Sequence, residues 1–165
     1  MENQLLKIKS IAVVLLVFSC ISALSQSTFE DALKKAKKED KRVIVDVYTD
    51  WCGWCVKMDE EAYSNKEVKK LLKENFIFIK LNAEGTGKIK YKNKEYTETE
   101  LATYFEVSGY PTTIFLEPDG KLIEFLYDKT KMKNIPGYFK TDEFIKILEY
   151  IKDGDYEDTD LSKIV

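Results

Sequence analysis

Cys52 and Cys55 stand two residues apart in Trp51-Cys52-Gly53-Trp54-Cys55, directly after the apolar run Val43-Ile44-Val45-Asp46-Val47-Tyr48. Two thiols at this spacing can close a small disulfide where the chain bends. A strand running into the start of a helix supplies that bend. The first cysteine then meets the unpaired N–H groups of a helix N-terminus, which favour a thiolate. One thiol attacks and the second resolves the product, which is the chemistry of thiol–disulfide exchange. A structural disulfide or half of a zinc site would use the same residue types. Zinc takes four ligands as a rule, and the chain has no histidine and three cysteines, one of them in an apolar leader. No metal is therefore expected. Asp46 is the other conspicuous residue, because a carboxylate inside an apolar strand is costly unless it has a partner or a task.

The elements that must position these residues follow from pattern. Thr28-Phe29-Glu30-Asp31 reads as a capping box opening a helix to about Lys38. Arg42 to Tyr48 is a strand, and a helix runs from Cys52 through Met58. Ser64-Asn65-Lys66-Glu67 opens another helix, with Val68, Leu71 and Leu72 at helical spacing. Phe76 to Leu81 is a second strand, and Ala83 to Lys94 reads as an exposed loop or hairpin. Thr97-Glu98-Thr99-Glu100 caps a short helix ending near Phe105. Thr112 to Leu116 is a third strand, joined by the turn Glu117-Pro118-Asp119-Gly120 to a fourth, Lys121 to Tyr127. Lys129 to Lys140 reads as a basic loop. Thr141-Asp142 caps a last helix, and Asp153 to Asp160 is expected to be a solvated, frayed tail. Strands alternating with helices, closed by a hairpin and a helix, predict an α/β sandwich with a mixed sheet.

With 165 residues, 44% hydrophobic and 33% charged, the chain can bury a sizeable core as one domain. A net charge of -3 gives no reason to expect nucleic-acid binding. Residues 1–25 read as an export signal and 26–165 as the domain. Lys7 and Lys9 precede the apolar run Ile11 to Phe18, and Ala23-Leu24-Ser25 places small residues for cleavage before Gln26. An uncleaved anchor is the alternative, but Ile11 to Leu24 falls short of the ~20 residues that span a bilayer. Val17-Phe18-Ser19-Cys20 faintly resembles a lipoprotein box, with Phe18 a poor fit. The expected location is thus the periplasm, with lipidation at Cys20 the lesser reading.

Four markers resemble the thioredoxin superfamily, and most of all its small exported thioredoxin-like domains. They are Trp51-Cys52-Gly53-Trp54-Cys55, Asp46 six residues before Cys52, Lys80-Leu81-Asn82 at a strand end, and Gly109-Tyr110-Pro111-Thr112. The resemblance implies a thioredoxin fold, a central mixed sheet flanked by helices. It implies that Cys52 is the nucleophile and that Cys55, more buried, resolves the mixed disulfide. Asp46 would help move the Cys55 proton, and Lys80 would pair with Asp46. Pro111 would be cis, with Tyr110 pairing its backbone to the substrate, and Trp51, Trp54 and Tyr110 would form an apolar rim. No bound cofactor is implied. The expected partners are cysteine-containing proteins and a membrane or periplasmic thiol electron donor, with the chain acting as a monomer.

One departure bears on direction. Trp54 stands where thioredoxin itself has proline, so reducing strength does not carry over. That slot also lacks the histidine of strongly oxidising members, which leans the reading towards a reductase. A non-enzymatic binding module on the same scaffold, or a disulfide isomerase, would use the same residues.

Overall fold

The computed structural model describes residues 29–165; the expected signal at 1–25, Cys20 and the Thr28 end of the first capping box lie outside them. In chain order the elements are α1 (29–39), β1 (Arg42–Tyr48), α2 (Gly53–Met58) continuing into a π turn (Asp59–Tyr63), α3 (Lys66–Asn75), β2 (Phe76–Asn82), β3 (Lys88–Tyr91), β4 (Lys94–Thr97), α4 (Glu98–Tyr104), β5 (Thr112–Leu116), β6 (Phe125–Tyr127), β7 (Thr130–Met132), β8 (Ile135–Pro136) and α5 (Thr141–Asp153). Two 3₁₀ turns, Asp155–Glu157 and Leu161–Lys163, close the chain.

The main sheet has the order β2-β1-β5-β8, with β1 parallel to β2 and antiparallel to β5. β1 is central and covered on both faces, which is why it reads as a nearly unbroken apolar run. Alternation along it divides the core. Val43, Val45 and Val47 face a layer containing Phe29 of α1, Ile89 and Tyr91 of the β3–β4 hairpin, and Leu101 of α4. Ile44 faces Met58, Tyr63, Val68 and the α5 residues Phe144 and Leu148. Successive side chains point to opposite faces, so Asp46 shares the face of Ile44. This is the expected α/β sandwich.

The details differ from the sequence reading in five places. The α3 cap is Asn65, whose Oδ1 accepts from the Glu67 and Val68 N–H groups, not Ser64. The 83–94 segment is less exposed than expected, because Ile89 and Tyr91 are buried as one face of a hairpin that turns at Lys92 and Asn93, both at positive φ. The α5 start is held by Glu143, whose carboxylate accepts from the Lys140 N–H, while Thr141 donates to the Glu61 carbonyl at 2.9 Å.

The fourth difference reshapes the sheet edge. The turn at Gly120 forms, with φ +82°, but the continuous strand 121–127 does not. Leu122 makes an isolated bridge to Leu116, and the Ile123 N–H donates to Phe115 at 2.9 Å. The chain then leaves the sheet as the β6–β7 hairpin, turning at Asp128 and Lys129, and returns as β8 on Thr112 and Thr113. The outer edge of β5 is thus shared by two segments with a hairpin between them. The acidic tail is not frayed: Tyr156 and Asp160 are buried. The Asp160 carboxylate accepts from the Asp128 N–H at 2.9 Å, the Lys129 N–H at 2.7 Å and the Ser162 hydroxyl at 2.7 Å. It locks the hairpin turn to the C-terminus.

Those donors, Ser162 first, hold the Asp160 carboxyl down at about 2 against an ordinary 3.8. A depressed folded-state pKa gives stability that is complete above the unfolded value and lost as the pH falls through the folded one. We therefore expect Asp160→Asn to lower the urea unfolding midpoint at pH 5 to 7. Its gap from wild type should narrow as the pH is lowered towards 2, and a gap that stays constant with pH would reject this account.

Candidate functional site

The end of β1 delivers Cys52 to the start of α2. Its N–H donates to the Thr49 carbonyl at 3.1 Å, and its extended backbone makes it the N-cap residue. Cys52 and Cys55 are joined as a disulfide. The Cys55 N–H donates to the Cys52 Sγ at 3.0 Å, so a backbone donor already points at the sulfur that would carry charge on reduction. The two cysteines are equally buried, 5% exposed each, rather than Cys55 being the deeper. The closed bridge holds both sulfurs in the same shelter.

Asp46 lies on the sheet face that α2 and the π turn cover, 2% exposed. In register beside it stand Lys80 on β2 and Thr113 on β5. Lys80 Nζ is 3.1 Å from Asp46 Oδ2, and it is also 2.7 Å from both oxygens of Asp59 in the π turn. Asp46 Oδ1 is buried without a hydrogen-bond partner among the described residues, as are the hydroxyls of Thr113 and Tyr63. Burial raises the Asp46 carboxyl above the usual range by more than Lys80 lowers it. Burial, and then the field of Asp46, push the Tyr63 phenol well above its ordinary value. Partial burial works against the Lys80 charge, yet Asp59 and Asp46 together hold its pKa above that of an ordinary lysine.

Two aromatic pairs flank the disulfide helix. Trp51, 68% exposed, meets Tyr110 edge-on at 5.9 Å, and its indole N–H donates to Glu84 at 3.0 Å. Trp54, 58% exposed, lies 5.4 Å from Tyr138. Lys57 sits over both rings, at 5.2 and 5.1 Å. Tyr138 donates to Glu61, and that bond holds its phenol up at about 12. The Tyr110–Pro111 peptide bond is cis, and the Gly137 N–H donates to the Pro111 carbonyl at 2.8 Å. The structure thus gathers Asp46 with Lys80, and Trp51 with Tyr110, while Trp54 turns to Tyr138.

Asp59, Tyr63 and Tyr138 are the residues that the sequence reading missed. Met58 and Ala62 continue the buried spacing of α2 past the acidic run Asp59-Glu60-Glu61, and that spacing was the available signal that the helix did not stop at Met58. Among the described residues no cluster of His, Cys, Asp or Glu is arranged to hold a metal ion, and no helix is long and apolar enough to cross a membrane.

A family profile described as a thioredoxin-like domain matches residues 29–152. The mouse (Mus musculus) spermatogenesis-associated protein 20 is 35% identical over 89 residues, covering 54% of this chain and 11% of that protein. The thiol:disulfide interchange protein DsbD of Colwellia psychrerythraea is 27% identical over 130 residues, covering 77% of this chain and 18% of that protein. The chain therefore spans only a small part of the length of these relatives. A thioredoxin-fold protein from Helicobacter pylori superposes with a TM-score of 0.57 at 27% identity, covering 76% of this chain and 80% of that one. The profile match over most of the chain, the mixed sheet between helical layers and the cysteine pair at the start of α2 agree: the chain belongs to the thioredoxin-like domain family.

Proposed function

We propose that this protein is an exported thiol–disulfide oxidoreductase that reduces disulfides in cysteine-containing proteins of the periplasm, drawing electrons from a membrane or periplasmic thiol donor. The observation that carries this reading is the Cys52–Cys55 disulfide at the start of α2, with a backbone N–H on the Cys52 sulfur. The likeness to a protein named for thiol–disulfide interchange supports it. The absence of histidine from the chain supports the reducing direction.

In the reduced protein the Cys52 thiolate attacks one sulfur of a substrate disulfide. A Cys52–substrate bond forms, and the first substrate thiolate leaves. The Cys55 thiol then gives its proton to the Asp46 carboxylate, and the resulting thiolate attacks Cys52. The Cys52–Cys55 bond closes, the second substrate thiolate leaves, and the pair is oxidised by two electrons. An extended substrate segment would pair with the backbone of Tyr110 at the Pro111 turn, in the manner of an added strand. Trp51 and Trp54 offer exposed apolar surface on either side.

Replacing Cys55 by serine removes the resolving thiol. The variant should lose turnover and accumulate a mixed disulfide on Cys52, read by intact mass under non-reducing conditions; a variant that still turns over rejects this assignment. The wild-type pair, equilibrated against glutathione, should show a potential near about −270 mV, whereas about −120 mV would mark an oxidant.

Asp46→Asn should slow closure of the mixed disulfide on the order of 100-fold, with less effect on the first attack, in rapid-mixing kinetics. The same variant tests the buried charge. A raised folded-state carboxyl pKa is a stability cost that is absent below the unfolded value and complete above the folded one. Asp46→Asn should therefore raise the urea midpoint at pH 7 and leave it nearly unchanged at about pH 3. Equal shifts at both pH values would mean that packing, not charge, is being read.

A further inference from the structure

The Lys80 ammonium is divided between two carboxylates of opposite situation. Asp46 is buried in β1. Asp59 is 44% exposed, in a π turn set apart by the i to i+5 bond from the Ser64 N–H to the Asp59 carbonyl at 2.9 Å. The shorter contacts go to the exposed partner: both oxygens of Asp59 lie 2.7 Å from Nζ, against 3.1 Å for Asp46 Oδ2. The ammonium is thus drawn towards solvent, and among the described residues Asp46 Oδ1 has no hydrogen-bond partner. Tyr48 and Tyr63 rings at 5.2 and 5.9 Å frame the same ammonium and limit where it can go.

We propose that Asp59 is a positioning residue that acts through Lys80, withholding part of the lysine charge from Asp46 and so keeping Asp46 basic enough to accept the Cys55 proton. This rests on the reading of Asp46 as that acceptor. The need is clear from ordinary values: a carboxylate near about 4 is a poor base for a thiol near about 8.5. A fully paired Asp46 would be poorer still. The charged and titratable groups facing Asp46 are Lys80 from β2 and Asp59 and Tyr63 from the π turn; Thr113 of β5 brings a hydroxyl, and α3 and α5 bring apolar side chains such as Val68 and Phe144 to this layer. Asp59 is the only one of these that competes for the Lys80 ammonium.

The test is a ¹³C NMR titration of the Asp46 side-chain carboxyl in the dithiothreitol-reduced full domain. Asp59→Asn should move the Asp46 midpoint down by about half a pH unit or more, roughly threefold in proton affinity. Asp59→Glu should restore it, and Lys80→Met should move it up. If Asp59 acts through Lys80, adding Asp59→Asn to Lys80→Met should shift the midpoint by less than half as much as it does alone. An unmoved midpoint in Asp59→Asn overturns the proposal. So does an equal shift in both backgrounds, which would mean direct repulsion between the carboxylates. The titration does not depend on any substrate. A wild type that reduces no disulfide would therefore reject the proposed function while the five midpoints still decide the role of Asp59.

Discussion

A carboxylate buried in the middle of the central strand sets the terms for this site. Asp46 occupies a position where every other interior residue of β1 is aliphatic, and burial opposes its charge. Among the described residues, the cation paired with it comes from the neighbouring strand, in register, and is itself only partly sheltered. Among the described residues one Asp46 oxygen lacks a hydrogen-bond partner, as do the hydroxyls of Thr113 and Tyr63. Buried polar groups are nearly always paired, so unpaired ones packed around a buried carboxylate are a cost to stability.

Much of this arrangement was legible in the chain. The strand-to-helix junction carrying Cys52 and Cys55, the interior aspartate and the Tyr110-Pro111 loop all announce themselves by residue type and spacing. Parity alone places Asp46 on one face, because Val45 and Val47 must take the other. Less legible were features set by backbone shape rather than composition. The Asp128-Lys129 turn contains no glycine, yet both residues adopt positive φ; Asp128 tolerates that region, but without a following glycine the pair lacks the strong two-residue hairpin signal. The acidic tail reads as solvated because charge dominates it. Its fold depends on Asp160 finding backbone donors 31 and 32 residues away, which no local pattern encodes.

The hairpin that interrupts the sheet edge has a consequence at the site. A single continuous strand beside β5 would carry the chain past the Pro111 loop without returning to it. Because β6 and β7 intervene, the chain comes back as β8, and the segment after it meets the disulfide helix. Gly137 ties that segment to the Pro111 carbonyl, and Tyr138 reaches across to Glu61 and the Trp54 ring. The C-terminal lock at Asp160 therefore supports, at one remove, the aromatic pair beside Cys55. Loops carry function when a rigid scaffold fixes them, and here the fixing residue sits at the far end of the chain.

The two sides of the disulfide helix are built differently. On one side the Trp51 indole N–H is held by Glu84, in the turn after β2, whose backbone N–H donates to Asn82 at the end of that strand. On the other, Trp54 and Tyr138 share a lysine that belongs to α2 itself, and Glu61 of the π turn accepts the Tyr138 hydroxyl. The π turn therefore faces two ways. Its Asp59 shares the Lys80 ammonium with the buried carboxylate, and its Glu61 accepts from Tyr138 of the surface aromatic pair. An uninterrupted α-helix repeats its faces every 3.6 residues; the wider turn changes that phase just after Met58. One irregular turn thereby links the buried Asp46–Lys80 pair to the aromatic pair at the surface, which is a tighter constraint on residues 59 to 63 than the burial of Ala62 and Tyr63 alone would impose.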